Sequence, residues 1–211
     1  MRITIIYDNI SRQENLVADW GFSCLVEAGD KVILFDTGAR ADILGQNMKT
    51  LRIDPSRIDA VFISHDHWDH AGGLSAVPGI GNLSVYVPAS FRPMPDLHGL
   101  HRISGPAAIC DNMFSTGELK GIEHSLVIRQ EGGVVVVAGC SHPGVGEILA
   151  AASVIGNPAA LIGGLHGFDD FEQIAGLGCI CPTHCTRHIE RIAAMYPQQH
   201  VYGGAGRVLE L

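Results

Sequence analysis

The sequence predicts an α/β fold in which two stacked mixed sheets are covered by helices on both outer faces. Three observations predict it. Short apolar strands come in two groups, helical faces are spread between and after them, and no linker, internal repeat or low-complexity tract divides the chain. At 211 residues with 46% hydrophobic content the chain can bury a substantial core, and a single domain spanning 1–211 is expected.

The opening stretch Ile3–Tyr7 alternates and then turns polar, as a first strand does, and it lacks the apolar centre and small-residue cleavage site of a signal peptide. Phe22–Glu27 and Lys31–Phe35 follow as strands joined by a two-residue turn at Gly29-Asp30. Ala39–Leu51 reads as a helix. Asp54-Pro55 closes that segment, because the residue before a proline avoids the helical region, and Ala60–Ser64 is the next strand. Five short strands fill the middle third: Leu83–Val87, Ser104–Ile109, Asn112–Thr116, His124–Gln130 and Gly133–Gly139. Val145, Ile148, Leu149, Ala152 and Ile155 then mark a helical face, and Ala159–Ile162 is a strand. Asp169-Asp170 caps a predicted helix through Leu177. Gly178–Cys181 is a strand and Thr186–Tyr196 a helix stopped at Pro197, before His200–Tyr202 and Arg207–Leu211 close the chain.

Composition narrows the function classes. Uninterrupted apolar runs, such as Val134 to Ala138, are far short of the roughly 20 residues of a membrane-spanning helix, so no membrane partner and a cytoplasmic location are expected. A net charge of −8, with 14 Lys and Arg spread thinly, offers no basic stripe for a phosphate backbone, and nucleic acid is not an expected partner. The six cysteines read as free thiols or metal ligands rather than disulfides. The 11 histidines and 26 glycines are the compositional oddity, since imidazole is the commonest metal-ligating side chain and glycine permits the tight loops that gather ligands.

The chemistry concentrates in Ile63-Ser64-His65-Asp66-His67-Trp68-Asp69-His70-Ala71-Gly72-Gly73, directly after a buried-looking strand. Three imidazoles and two carboxylates fall within six residues there. In such a loop His65 and His67 can grip one divalent ion while Asp69 and His70 grip a neighbour, and this donor set suits zinc first, with iron or manganese as alternatives. A solvated loop with accidental histidines accounts poorly for a cluster that follows an apolar strand and ends in Gly-Gly.

The HxHxDH spacing after a strand resembles the signature of the metallo-β-lactamase superfamily, and Phe35-Asp36-Thr37-Gly38 resembles its strand-end Asp-Thr-Gly, whose Asp supports the metal loop. The resemblance implies an αββα sandwich. Three further motifs, Gly139-Cys140-Ser141-His142-Pro143-Gly144, Gly163-Gly164-Leu165-His166 and Pro182-Thr183-His184-Cys185-Thr186, are similar to the branch of synthases that act on dihydropterin and ribofuranosylaminobenzene phosphate. By that resemblance His142 joins His65 and His67 at the first metal, His184 joins Asp69 and His70 at the second, and His166 is a catalytic candidate for substrate contact or additional ligation. Many members carry a metal-bridging Asp where this chain has Cys140, which is either a thiolate ligand or a buried neutral thiol. Many also place a ligand His where His124 stands. His142 is preferred here, because alternation puts His124 with Leu126 and Ile128 on an apolar face. The branch usually has Gly where Arg187 stands, and its synthases are longer, so part of their substrate-covering region is expected to be missing.

The expected function is hydrolysis of an ester, thioester or phosphodiester of a small phosphorylated metabolite, with one or two divalent ions activating water and Asp69 orienting it. A pterin-linked C–N transferase is the near alternative. Ser64 and Ser141 lack the Gly-x-Ser-x-Gly elbow of a serine hydrolase. A zinc-stabilised binding module on Cys179, Cys181, His184 and Cys185 and a di-iron redox protein are the remote alternatives. The cysteine spacing disfavours the first, and the missing carboxylate at His67 disfavours the second.

Overall fold

A computed structural model describes residues 1–92 and 99–211. Chain order gives β1 (Arg2–Tyr7), β2 (Ser23–Ala28), β3 (Lys31–Phe35), α1 (Ala41–Thr50), β4 (Ala60–Phe62), α2 (Trp68–Ala71), β5 (Ser84–Pro88) and β6 (Leu100–Ile103). These are followed by β7 (Ala107–Cys110), β8 (Met113–Ser115), β9 (Leu126–Gln130), β10 (Gly133–Ala138), α3 (Val145–Ser153), β11 (Pro158–Gly164), β12 (Cys179–Thr183), α4 (Ile189–Met195) and β13 (Val208–Glu210).

The strands form two sheets, ordered β13-β1-β2-β3-β4-β5-β6 and β12-β11-β10-β9-β8-β7. Both are mixed: β3 to β6 run parallel in the first, β10 to β12 run parallel in the second, and hairpin pairs complete each. Period-2 alternation distributes the apolar side chains over three layers. Ile3, Ile5, Val26, Phe35 and Phe62 meet Leu126, Ile128, Val135, Val137 and Ile162 between the sheets. Leu25, Leu34, Val61 and Val85 face outward onto Ile43, Leu44 and Met48 of α1. Val134, Val136, Leu161 and Ile180 face outward onto Val145, Ile148 and Ala152 of α3 and Ile192 of α4. The order of layers is therefore helix, sheet, sheet, helix, as the sequence predicts.

The differences lie at element ends. The helix expected from Asp169-Asp170 through Leu177 is a single 3-10 turn over Phe171–Ile174. Phe171 and Ile174 are both buried by that turn, which satisfies the i, i+3 apolar spacing, and Gly176 and Gly178 do not favour its extension. The expected strand Ser104–Ile109 is shortened at its start by Gly105-Pro106 and runs as β7 from Ala107, while β6, Leu100–Ile103, is a strand the sequence does not predict. The last helix starts at Ile189 rather than Thr186, and His200–Tyr202 contributes only a bridge from His200 to Ile180. Cys181 and, more peripherally, Cys179 pack on the inter-sheet layer while Ile180 faces α4, which is the alternation the sequence predicts.

Phe62 ties this architecture together: it is fully buried and stacks on Phe35 at 5.5 Å and on the His124 ring at 4.0 Å. Phe62→Ala is expected to lower the unfolding free energy by about 3–5 kcal/mol, read by urea denaturation. A loss below 1 kcal/mol would show that the inter-sheet layer does not depend on this ring.

Candidate metal centre

The topology brings one set of chain segments to one end of the two sheets. β1, β3 and β4 share a direction in the first sheet, and β10, β11 and β12 share one in the second, so the loops leaving all six converge. Asp8, Asp36, His65, Cys140, His142, His166 and His184 all stand on these loops. Because β9 runs antiparallel to β10, the residues preceding it, Glu123 and His124, arrive at the same end. Carboxyl ends of strands are where α/β sheets commonly place their sites. Backbone strain collects here as well: Asp36, Ser141, His166 and His184 all have positive φ, of 52°, 58°, 49° and 47°.

Buried carboxylates hold these loops. The Glu123 carboxylate accepts the backbone N–H groups of Gly139, Cys140 and Ser141 on one oxygen, at 3.0, 3.1 and 3.0 Å, and that of His142 on the other, at 2.9 Å. Burial pushes this carboxyl up to about 7, against those backbone donors. Asp36 accepts the Ser64 amide at 2.7 Å and its hydroxyl at 2.8 Å, and lies 2.7 Å from His70 Nδ1. Asp8 accepts the His184 amide at 3.1 Å, and Asn9 Oδ1 contacts His184 Nδ1 at 2.9 Å. Gly139 is required at its position, since a Cβ there would run into the Ser64 side chain and come within 3.0 Å of His65 Nδ1.

Within this frame two donor sets form. His65, Cys140 and His142 present one ligand atom each, all within 4.8 Å of one another, and so do His70, Cys140 and His184. His67 completes the first group, with its Nδ1 at 3.0 Å from His65 Nε2 and its ring 4.9 Å from that of His142. Asp69 Oδ2 reaches the second group, 3.3 Å from His184 Nε2 and 3.9 Å from His70 Nε2, and accepts the Trp20 indole N–H at 2.8 Å.

Crowded imidazoles repel one another when protonated. Burial and the neighbouring rings of His70, His67 and His142 push His65 far down, and burial with His67 and His166 pushes His142 down to about 4. Both are neutral bases at neutral pH, with lone pairs to donate. Burial opposes ionisation of Asp69, but the approach of His184 and His70 outweighs it and holds the carboxyl at about 2. Nε2 of His142 and of His184 is buried without a hydrogen-bond partner, a costly arrangement for a polar atom unless something else occupies it. The neutral imidazoles of His65 and His142, the Asp69 carboxylate, the Cys140 thiol and these two nitrogens without hydrogen bonds fit a divalent transition metal.

The six histidines and the aspartate singled out in the sequence thus meet at one place, with His166 at its exposed rim, its ring 5.1 Å from that of His142. Arg187 is beside it, donating its backbone N–H to the His166 carbonyl at 2.8 Å. His124 faces elsewhere: its Nδ1 contacts the Ser115 hydroxyl and its Nε2 the Ile63 carbonyl, both at 2.9 Å, so neither ring nitrogen is left to bind an ion. The Cys179, Cys181, His184 and Cys185 grouping does not converge, since the first two thiols pack on the inter-sheet layer and His184 turns to His70 and Cys140. Sequence reasoning did not find Glu123, Asp8, Asn9 or Trp20. Glu123 carried one signal, a carboxylate beside a strand start preceding the Gly-Cys-Ser-His loop, but nothing local marks it as buried.

A sequence profile of the metallo-beta-lactamase superfamily matches residues 21–167. The chain is 28% identical, over 79% of its length and 80% of the relative's, to the 7,8-dihydropterin-6-methyl-4-(beta-D-ribofuranosyl)-aminobenzene-5'-phosphate synthase of Methanocaldococcus jannaschii. Among solved structures it is similar to a metal-dependent hydrolase of the beta-lactamase superfamily, with a TM-score of 0.80 and 26% identity, covering 100% of this chain and 99% of the other. It also shares its fold with human tRNase Z, short form, at a TM-score of 0.66 and 13% identity, covering 100% and 99% of the two chains.

His142→Ala is expected to lower metal affinity at the first group by at least about tenfold, while His124→Ala keeps its metal and loses about 1–3 kcal/mol of stability through the partners it abandons. Isothermal titration with zinc, alongside urea denaturation, separates the two. If His124→Ala lost metal and His142→Ala kept it, the assignment would be reversed. A pH signature accompanies this. Burial holds His124 neutral, down to about 3 from an ordinary 6.5, so its contribution to stability is complete above pH 6.5 and is lost as pH falls toward 3. His124→Ala should therefore flatten the decline in stability across that window; an unchanged slope would contradict it.

Proposed function

Because the chain belongs to the metallo-beta-lactamase superfamily, we propose that it is a metal-dependent hydrolase acting on an ester, thioester or phosphodiester of a small phosphorylated metabolite. The observation that carries this reading is the pair of donor sets with two buried, unpartnered imidazole nitrogens between the sheet ends. In this reading His65, His67 and His142 hold one ion and Asp69, His70 and His184 hold another. A bound divalent ion, zinc before iron or manganese, supplies Lewis acidity, lowering the pKa of water from about 15.7 to near 7 and polarising the bond under attack.

The chain's own residues do the rest. Asp36 and Glu123 keep the loops from relaxing as charge develops, because each carboxylate is already committed to backbone amides or to His70. Asp69, kept ionised, orients the attacking water by accepting a hydrogen bond from it, while the Trp20 indole N–H holds Oδ2, the oxygen that also faces His184 and His70. His166 contacts the substrate from the rim, and the exposed Arg187 beside it receives an anionic group. A cleft of about 370 Å³ lined by Asp66, His67, Trp68, Phe91 and Arg92 gives a small metabolite room beside His67. With a net charge of −8, attraction for an anion is local to the ions and to Arg187.

The second reading is a pterin-linked C–N transferase, favoured by the likeness to the archaeal synthase. Product analysis with a panel of phosphodiesters and thioesters and with the dihydropterin and ribofuranosylaminobenzene phosphate pair decides between them. Turnover of a panel ester at rates at least about 10²-fold above the His65→Ala/His67→Ala double variant supports hydrolysis. A condensed pterin product with no ester turnover overturns it. Purified protein is expected to contain one to two equivalents of metal, which the double variant loses. An iron-type absorption spectrum would move the assignment toward the redox class. Elemental analysis finding no metal after reconstitution with zinc, iron and manganese would exclude the mechanism as written.

A further inference from the structure

Cys140 is common to both donor sets. Its sulfur lies 3.2 Å from His70 Nε2, within 4.8 Å of the His65 and His142 nitrogens on one side and of the His184 nitrogen on the other. No other residue among those described is shared by the two groups. The side chain is 4% exposed, and its place is fixed by the backbone, whose amides on either side of it are held by Glu123. Nε2 of His142 and of His184, one from each set, is buried without a hydrogen-bond partner.

We infer that Cys140 is a bridging thiolate, donating one sulfur lone pair to each of two metal ions held by the flanking histidines. The inference rests on the reading of this cluster as a metal centre and adds the ligand that couples its two halves. On coordination the thiol proton leaves to solvent, and the sulfur keeps one lone pair unshared. A coordinating cation takes the thiolate form outright, so the buried position of this thiol does not oppose its ionisation once an ion is bound. A single thiolate also supplies softness that imidazole and carboxylate lack, which favours zinc or cobalt over manganese at both positions. Cys185 is the neighbouring thiol, its Sγ 3.9 Å from the Cys140 carbonyl, but it belongs to neither donor set. It is therefore the natural control.

The test loads the full-length apoprotein with cobalt(II) and reads the near-ultraviolet thiolate-to-cobalt charge-transfer band together with cobalt stoichiometry. The parent and Cys185→Ser are expected to take two equivalents and show the band in proportion to both. Cys140→Ser is expected to lose the band and to bind its second equivalent at least tenfold more weakly. Cys140→Asp, whose two carboxylate oxygens can each serve one ion, should recover the second equivalent without the band, and circular dichroism confirms that each variant is folded. If the parent takes two equivalents with no band, or if Cys140→Ser keeps the band, the thiolate bridge is wrong while the metal centre stands. If the parent takes no cobalt at all, the metal-centre reading fails and the bridge with it.

Discussion

The Glu123 carboxylate, buried at the end of two sheets and accepting four consecutive backbone N–H groups from residues 139–142, is the constraint on which the site depends. A loop carrying a buried thiol and a half-buried imidazole has no regular hydrogen-bonding ladder of its own, and its amides would be unsatisfied without an internal acceptor. Glu123 satisfies them and fixes where Cys140 and His142 stand. The positive φ of Ser141 is tolerable only because the loop is held this firmly. Asp36 does the corresponding work on the first sheet, joining the Ser64 backbone to the His70 ring.

These anchors explain how so many bases coexist. Imidazoles packed with ring centroids 4.1 to 4.8 Å apart around His65 cannot all be protonated, and the fold does not let them spread. His65 and His142 are held neutral in consequence, while the Asp36 carboxylate raises His70 against its burial. The surrounding carboxylates supply negative charge at fixed positions, so the cluster is prepared for a cation before one arrives. The arrangement links folding to chemistry: alternation sorts side chains into three layers, parallel strands send their exits to one end, and the exits carry the donors.

Much of this was legible from the residues. His65, His67, Asp69 and His70 fall within six positions, so their meeting needs only a loop, and Asp36 is marked by the resemblance of Phe35-Asp36-Thr37-Gly38 to the superfamily's strand-end Asp-Thr-Gly. Strand period puts Cys179 and Cys181 on one side of β12 and Ile180 on the other, and it puts His124 on an apolar face, and each stands so in the fold. The partnerships that fix the site were not legible, because they join distant segments. Asn9 and His184 are 175 positions apart, and Asp36 and His70 are 34 apart. Glu123 looks in sequence like a solvated turn residue, since charge alone does not disclose burial. The i, i+3 spacing at Phe171 and Ile174 predicts a helix but serves a 3-10 turn as well, which is what forms.

The central claim is that the six histidine and aspartate donors and Cys140 enclose metal rather than each other. The most direct measurement is anomalous diffraction from crystals of the zinc-loaded protein, recorded on both sides of the zinc edge. The account predicts two anomalous peaks inside the cluster, one against His65 and His142 and one against His70 and His184, with the Cys140 sulfur between them. Peaks confined to surface residues, with the His142 and His184 nitrogens hydrogen-bonded to water instead, would contradict it.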